Sequence, residues 1–120
     1  MRALLKTLVL LMPLTGAAFA ADTSTTCKPG NNQQEMNDCA MRDYRAADAA
    51  LNIKYVEVMA RLPMDGQGKL RGQQREWLKA RELQCKADSR ATEGGPTWTL
   101  DYFSCLRIRT EKRTAEIGRL

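Results

Sequence analysis

Histidine is missing from all 120 residues of the chain. Without an imidazole there is no side chain whose ordinary pKa lies near neutrality, so the commonest general base and the commonest zinc ligand are both excluded. The four cysteines, Cys27, Cys39, Cys85 and Cys105, include no Cys-x-x-Cys pair, which removes the usual zinc-knuckle and redox spacings. No glycine-rich phosphate loop, nucleophile-elbow serine or acidic calcium loop is present. Aromatic residues make up 6% of the chain, so few large side chains are available to build a core. Long apolar runs are absent too. Beyond the first twenty residues nothing approaches the roughly 20 apolar residues that a membrane-spanning helix needs.

Two carboxylate pairs remain as a route to chemistry, Glu35 with Asp38 and Asp43 with Asp48. Both fall on solvated helical positions, and a thin helical bundle offers little of the concavity that catalysis needs. No enzymatic activity, metal site or cofactor is therefore expected.

What is present begins with an export signal. Arg2 and Lys6 precede an apolar run from Leu8 through Leu14, followed by Ala18-Phe19-Ala20, which reads as a signal peptide over residues 1–20. Asp22-Thr23-Ser24-Thr25-Thr26 separates the cleavage point from Cys27, so no cysteine stands where a lipid anchor would attach. A single domain over residues 21–120 is expected, periplasmic or secreted, with no stable membrane anchor. Loss of Arg2 and Lys6 lowers the formal charge of +5 to about +3, below the density of nucleic-acid-binding proteins. Four cysteines in an exported chain of this size read as two disulfides.

The fold class expected is all-α: an antiparallel three-helix bundle with an irregular N-terminal arm over residues 21–31. Asn32 with Glu35 three residues on resembles a capping box and starts the first helix. Met36, Ala40, Tyr44, Ala47, Leu51, Tyr55, Val58 and Leu62 then recur at helical spacing. Pro63, Gly66 and Gly68 predict a turn across residues 63–68. The second helix carries Leu70, Gln74, Trp77, Leu78, Arg81 and Cys85 on its inner face, and a second turn spans residues 92–96. The third helix, from about Thr97, turns Phe103, Leu106, Thr110, Arg113 and Ile117 inward. Exposed pairs expected four residues apart are Asp38 with Arg42, Glu57 with Arg61 and Glu82 with Lys86.

Residues equidistant from the turn of an antiparallel hairpin lie level, because both helices rise about 1.5 Å per residue. Cys85 and Cys105 are each ten residues from Gly95, which sets them side by side. Cys27 then pairs with Cys39 to hold the arm down, although a swapped pairing stays open because all four sulfurs gather at one end. The same ruler centred on Asp65 places Arg81 within reach of Asp48 as a structural ion pair that fixes helix register.

The ordered matches Gln34-Glu35-Met36-Asn37, Cys39-Ala40, Tyr44, Ala47-Asp48, Leu51-Asn52 and Tyr55 resemble the lysozyme inhibitor LprI-like family of small exported bacterial domains. Gln74-Arg75, Trp77, Arg81-Glu82, Cys85, Gly94-Gly95, Cys105, Thr110 and Arg113 continue the resemblance, which covers about Cys27 to Leu120. It implies a secreted helical domain whose protein partner is lysozyme or another peptidoglycan hydrolase. The chain differs from the lipoprotein member that gives the family its name in having no lipid-attachment cysteine.

For such a task, exposed Lys69 and Arg71 beside the first turn, or Arg90 beside the second, are the candidate partner-binding residues, because arginine grips a carboxylate with two hydrogen bonds. The alternative is a periplasmic structural or stress-related interaction module with no lysozyme target. A weaker third reading, binding to anionic envelope material, rests on the basic charge alone.

Overall fold

The computed structural model describes residues 27, 28 and 30–120; the expected signal peptide lies outside them. Three helices account for most of the described chain: α1 (Gln33–Arg61), α2 (Met64–Asp88) and α3 (Trp98–Gly118), with a single 3-10 turn at Arg90–Thr92 before α3. No strand occurs among the described residues.

Helix α1 starts where the Asn32 side chain accepts a hydrogen bond from the Glu35 backbone N–H at 2.8 Å, satisfying one of the donors that a helix N-terminus leaves free. It stops at Leu62, which is extended (φ −80°, ψ 145°) because the ring of the following proline disfavours helical geometry in the residue before it.

The expected turn over residues 63–68 is much shorter than the sequence suggests. Helix α2 begins at Met64, directly after Pro63, and both Gly66 and Gly68 lie inside its first turns. Two glycines cost a helix only about 1 kcal/mol each relative to alanine, and Gln67 between them helps to offset that. Its side-chain amide donates to the carbonyls of Met59 and Leu62, both at 3.0 Å, closing the end of α1 onto the start of α2.

At the other end of α2, the Ser89 hydroxyl donates to the Cys85 carbonyl at 2.7 Å. Thr92 then donates to Asp101 Oδ2 at 2.8 Å across the loop. Gly94 takes φ +77°, a conformation that side chains with a Cβ rarely adopt.

Helices α1 and α3 run in the same direction and pack most closely, with α2 antiparallel to both. Asn37 near the start of α1 reaches the Pro96 carbonyl at 3.4 Å, while Lys54, three-quarters of the way along α1, lies beside Gly118 at the end of α3. Ala40 and Ala47 are buried on α1, and their small side chains permit the close approach. The apolar core gathers Leu51 and Val58 of α1, Leu70 of α2 and Ile117 of α3, with Tyr55, Met59, Leu62 and Trp77 packed around them.

On α2 the buried residues are Leu70, Gln74, Arg81 and Cys85. Leu78, expected among them, is 38% exposed. With half-buried Trp77 the stripe runs at spacings of four, three, four and four and is complete without Leu78, which one further residue of rotation carries toward solvent. Among the described residues, none of the three expected exposed charge pairs forms: Glu82 and Lys86 make no ion pair, and the other two are replaced by other contacts. Asp38 accepts from Gln34 at 2.9 Å, and Glu57 pairs with Lys54 at 3.1 Å.

Candidate functional site

Both disulfides lie in the half of the bundle nearer the α2–α3 loop. Cys85 joins Cys105 across α2 and α3 with Cα atoms 5.6 Å apart. Cys27 joins Cys39 with Cα atoms 5.3 Å apart, and the Cys27 N–H donates to Asp43 Oδ1 at 3.0 Å. The pairings are those set by the ruler on Gly95 and by the arm folding back on α1.

Between the disulfides and the apolar core stands Arg81, 5% exposed. Its Nη1 donates to Asp48 Oδ1 of α1 at 2.9 Å and to Thr110 Oγ1 of α3 at 3.0 Å, so one side chain of α2 ties all three helices. Thr110 in turn donates to the Leu106 carbonyl at 2.6 Å. The guanidinium also faces two rings, 5.4 Å from the Tyr44 centroid and 5.1 Å from that of Trp77, a cation–π arrangement. Because the turn sits at Leu62–Pro63, Arg81 is level with Tyr44 and reaches about one helical turn along α1 to Asp48.

Burial pushes the Tyr44 hydroxyl pKa up from its ordinary value, with the positive charge of Arg81 opposing that in part. Tyr102 is likewise raised by burial, and the nearby Glu82 carboxylate adds to it. Trp98 stacks on Tyr102 with ring centroids 4.9 Å apart, and Tyr102 meets Phe103 edge-on at 5.3 Å. These rings fill the disulfide end from α3.

A half-open groove of about 190 Å³ lies between α2 and α3. Trp77, Arg81 and Gln84 line it from α2, and Arg109, Lys112 and Arg113 from α3. Arg109 donates to Gln84 Oε1 at 2.6 Å and to Asp88 Oδ2 at 2.8 Å. Arg113 donates through Nε to Gln74 Oε1 at 3.0 Å and through Nη1 to Glu116 Oε2 at 3.4 Å. The sequence had placed Gln74, Trp77, Arg81 and Arg113 on inner faces but had not assembled them with Arg109 and Lys112. The hairpin ruler sets Arg109 level with Arg81, a signal that points to a basic cluster at this height.

The candidate partner-binding residues are not brought together. Lys69 and Arg71 are exposed in the second turn of α2, inside the helix and no longer beside an extended loop. Arg90 is exposed in the 3-10 turn at the opposite end. At about 1.5 Å per residue, Lys69 and Arg90 are roughly 30 Å apart along the axis.

Among the described residues, no cluster of three or more histidine, cysteine or acidic side chains is placed to hold a metal ion, and no helix is long and apolar enough to cross a membrane.

The family described as "Lysozyme inhibitor LprI" matches residues 24–117. The chain belongs to this family. An uncharacterised protein of Rhizobium meliloti (strain 1021) is 33% identical over 133 aligned positions, covering 100% of this chain and 96% of the relative. No solved structure matches. Both disulfides and the Arg81 hub of this LprI family member fall within the matched span.

Proposed function

We propose that this LprI family protein is an exported inhibitor of a peptidoglycan hydrolase of the lysozyme type, acting in the periplasm by occluding the enzyme's cleft. The observation that carries the reading is the family match over residues 24–117, whose description is that of a lysozyme inhibitor. The family function is inhibition, and the protein works by contact with a protein partner.

The geometry supports that mode of action. Two disulfides and the Arg81 hub hold one half of a narrow bundle rigid, and a binder that is rigid beforehand loses less entropy on association. Paired cysteines also suit an oxidising compartment.

The two basic ends are separate ways of entering a cleft that carries catalytic carboxylates. Arg90 beside the Gly94-Gly95-Pro96 loop forms one tip, and Lys69 with Arg71 flanks the other. An arginine offers a carboxylate two parallel hydrogen bonds, where a lysine offers a point charge. Arg90 is therefore the stronger candidate for entering the cleft.

Lysis of bacterial cell walls by lysozymes of differing net charge tests the reading. Micromolar protein is expected to slow at least one of them, with Arg90→Ala weakening the effect more than Lys69→Ala. Failure to slow any of them would remove lysozyme inhibition as the function. Equal loss in both variants would point to general charge attraction, which added salt then abolishes.

A further inference from the structure

We propose that the groove between α2 and α3 over Trp77 is a carboxylate-binding site that takes an acidic group from a peptide. The first observation is an uneven charge balance. Arg81 is matched by Asp48 at 2.9 Å and Arg109 by Asp88 at 2.8 Å. Arg113 has only Glu116 at 3.4 Å, and Lys112 takes part in none of the ion pairs among the described residues. The groove thus holds close to one positive charge in excess, the complement of a single carboxylate.

The second observation is independent of charge. Arg81 Nε and Arg113 Nη2 are buried with no protein acceptor, and a buried donor without a partner carries a desolvation penalty of about 1–3 kcal/mol. Both guanidinium groups lie near one ring, 5.1 Å and 5.9 Å from the Trp77 centroid. The ring face compensates them in part. Two cations beside one indole still repel each other, and an anion entering the groove relieves that repulsion while offering Arg113 a better acceptor than Glu116.

Size narrows the ligand. At about 190 Å³, the groove is smaller than the roughly 300–1,000 Å³ of drug-sized ligand sites. It accommodates one acidic side chain or one chain terminus. Arg109 is already engaged through both Nη atoms, so the carboxylate falls to Lys112 and to Arg113, whose Nη2 is unpartnered and whose planar fork can exchange Glu116 for it.

Proton–nitrogen correlation spectra of the full mature chain test the site, with the Trp77 indole N–H as reporter and that of Trp98, at the far end of α3, as internal control. Three short peptides are titrated into the millimolar range: a glutamate tripeptide with both ends blocked, its glutamine counterpart, and triglycine blocked only at its N-terminus. Saturable movement of Trp77 but not Trp98 is expected with the glutamate peptide, with triglycine, or with both, and the responder identifies the source of the carboxylate. The glutamine peptide should bind at least roughly tenfold more weakly, the scale of one charge-assisted hydrogen bond.

Lys112→Gln, on an exposed position that leaves the fold intact, should weaken binding, as should Arg113→Lys, which keeps the charge but loses the fork. Lys69→Gln, at the far end of α2, should not. Equal response to glutamate and glutamine peptides, movement of both indoles together, or unchanged binding in Lys112→Gln would overturn the proposal. These readouts do not involve a hydrolase, so they stand or fall separately from the lysis assay.

Discussion

The two halves of the bundle are held together by different physics. Toward the α1–α2 turn, Leu51, Val58, Leu70 and Ile117 form an apolar core with exposures of 2% or less. Toward the α2–α3 loop, the buried apolar residues are Ala40, Ala47 and Leu106, and they share the interior with Arg81, Ser89, Thr110 and two of the cysteines. In the first half, stability comes from apolar surface removed from water, which is non-directional and tolerant of shape. In the second, covalent bonds and directed hydrogen bonds are added to a smaller apolar burial, and these fix one register and tolerate little. A binding protein gains from the second arrangement, because side chains anchored to a fixed frame are presented to a partner in one geometry.

The largest expected effect breaks the apolar half. Leu51→Ala removes a side chain that is 1% exposed and should cost about 3–4 kcal/mol, within the range for leucine truncation in packed cores. Denaturant melts followed by circular dichroism read it directly. Replacing both Cys85 and Cys105 by serine opens a loop of 20 residues, worth about 3 kcal/mol in the chain-entropy model. Leu51→Ala in the oxidised protein should leave the Trp98–Tyr102 stack intact by near-ultraviolet dichroism, whereas loss of the disulfide should disturb it. The reverse pattern would mean that the halves are not separately supported.

Arg81→Met comes next. It removes the donor to Asp48 and Thr110 while keeping most of the side-chain volume, and should cost about 2 kcal/mol, below the roughly 3–5 kcal/mol of a fully buried pair, because Asp48 is 35% exposed and regains water. Gln67→Ala strips the part-buried clasp on the Met59 and Leu62 carbonyls and should cost about 1 kcal/mol, the usual net worth of a neutral hydrogen bond.

The same contrast explains what the sequence could disclose. Helical periodicity located α1 and α3 to within a residue or two, because apolar burial repeats every three or four positions and Asn32 marks a start. The hairpin ruler found the Cys85–Cys105 bridge, since levels along antiparallel helices depend only on rise per residue. The first turn was misread because Gly66 and Gly68 are local signals against helix, while the contact that overrides them, Gln67 back to α1, is formed only once the two helices meet. The groove was hidden for a related reason. Arg109, Lys112 and Arg113 read as an ordinary charged run along α3, and their convergence with Trp77 and Arg81 depends on the rotation of α2 about its axis, which no spacing within either helix specifies. Leu78 marks the same gap, since one residue of rotation decides whether it is buried.

The smallest effect separates the halves by pH. Burial raises the Tyr44 and Tyr102 hydroxyls above their ordinary value of 10.0, so the unfolded chain loses these protons first as the solution becomes alkaline. A raised folded-state pKa means that the stability from keeping the hydroxyls protonated is fully present below the unfolded value and is lost as pH rises through the folded one. Stability should therefore be insensitive to these groups near neutrality and decline above about pH 10, the unfolded tyrosine value. Tyr44 faces Arg81, Asp48, Glu82 and Tyr102, all in the polar half, so Tyr44→Phe should flatten the decline. Leu51→Ala should lower the whole curve while leaving its slope unchanged. Short denaturant melts across the alkaline range, paired with tyrosinate absorbance, distinguish the two. A slope altered by Leu51→Ala, or untouched by Tyr44→Phe, would show that the alkaline limit is set outside the Arg81 network.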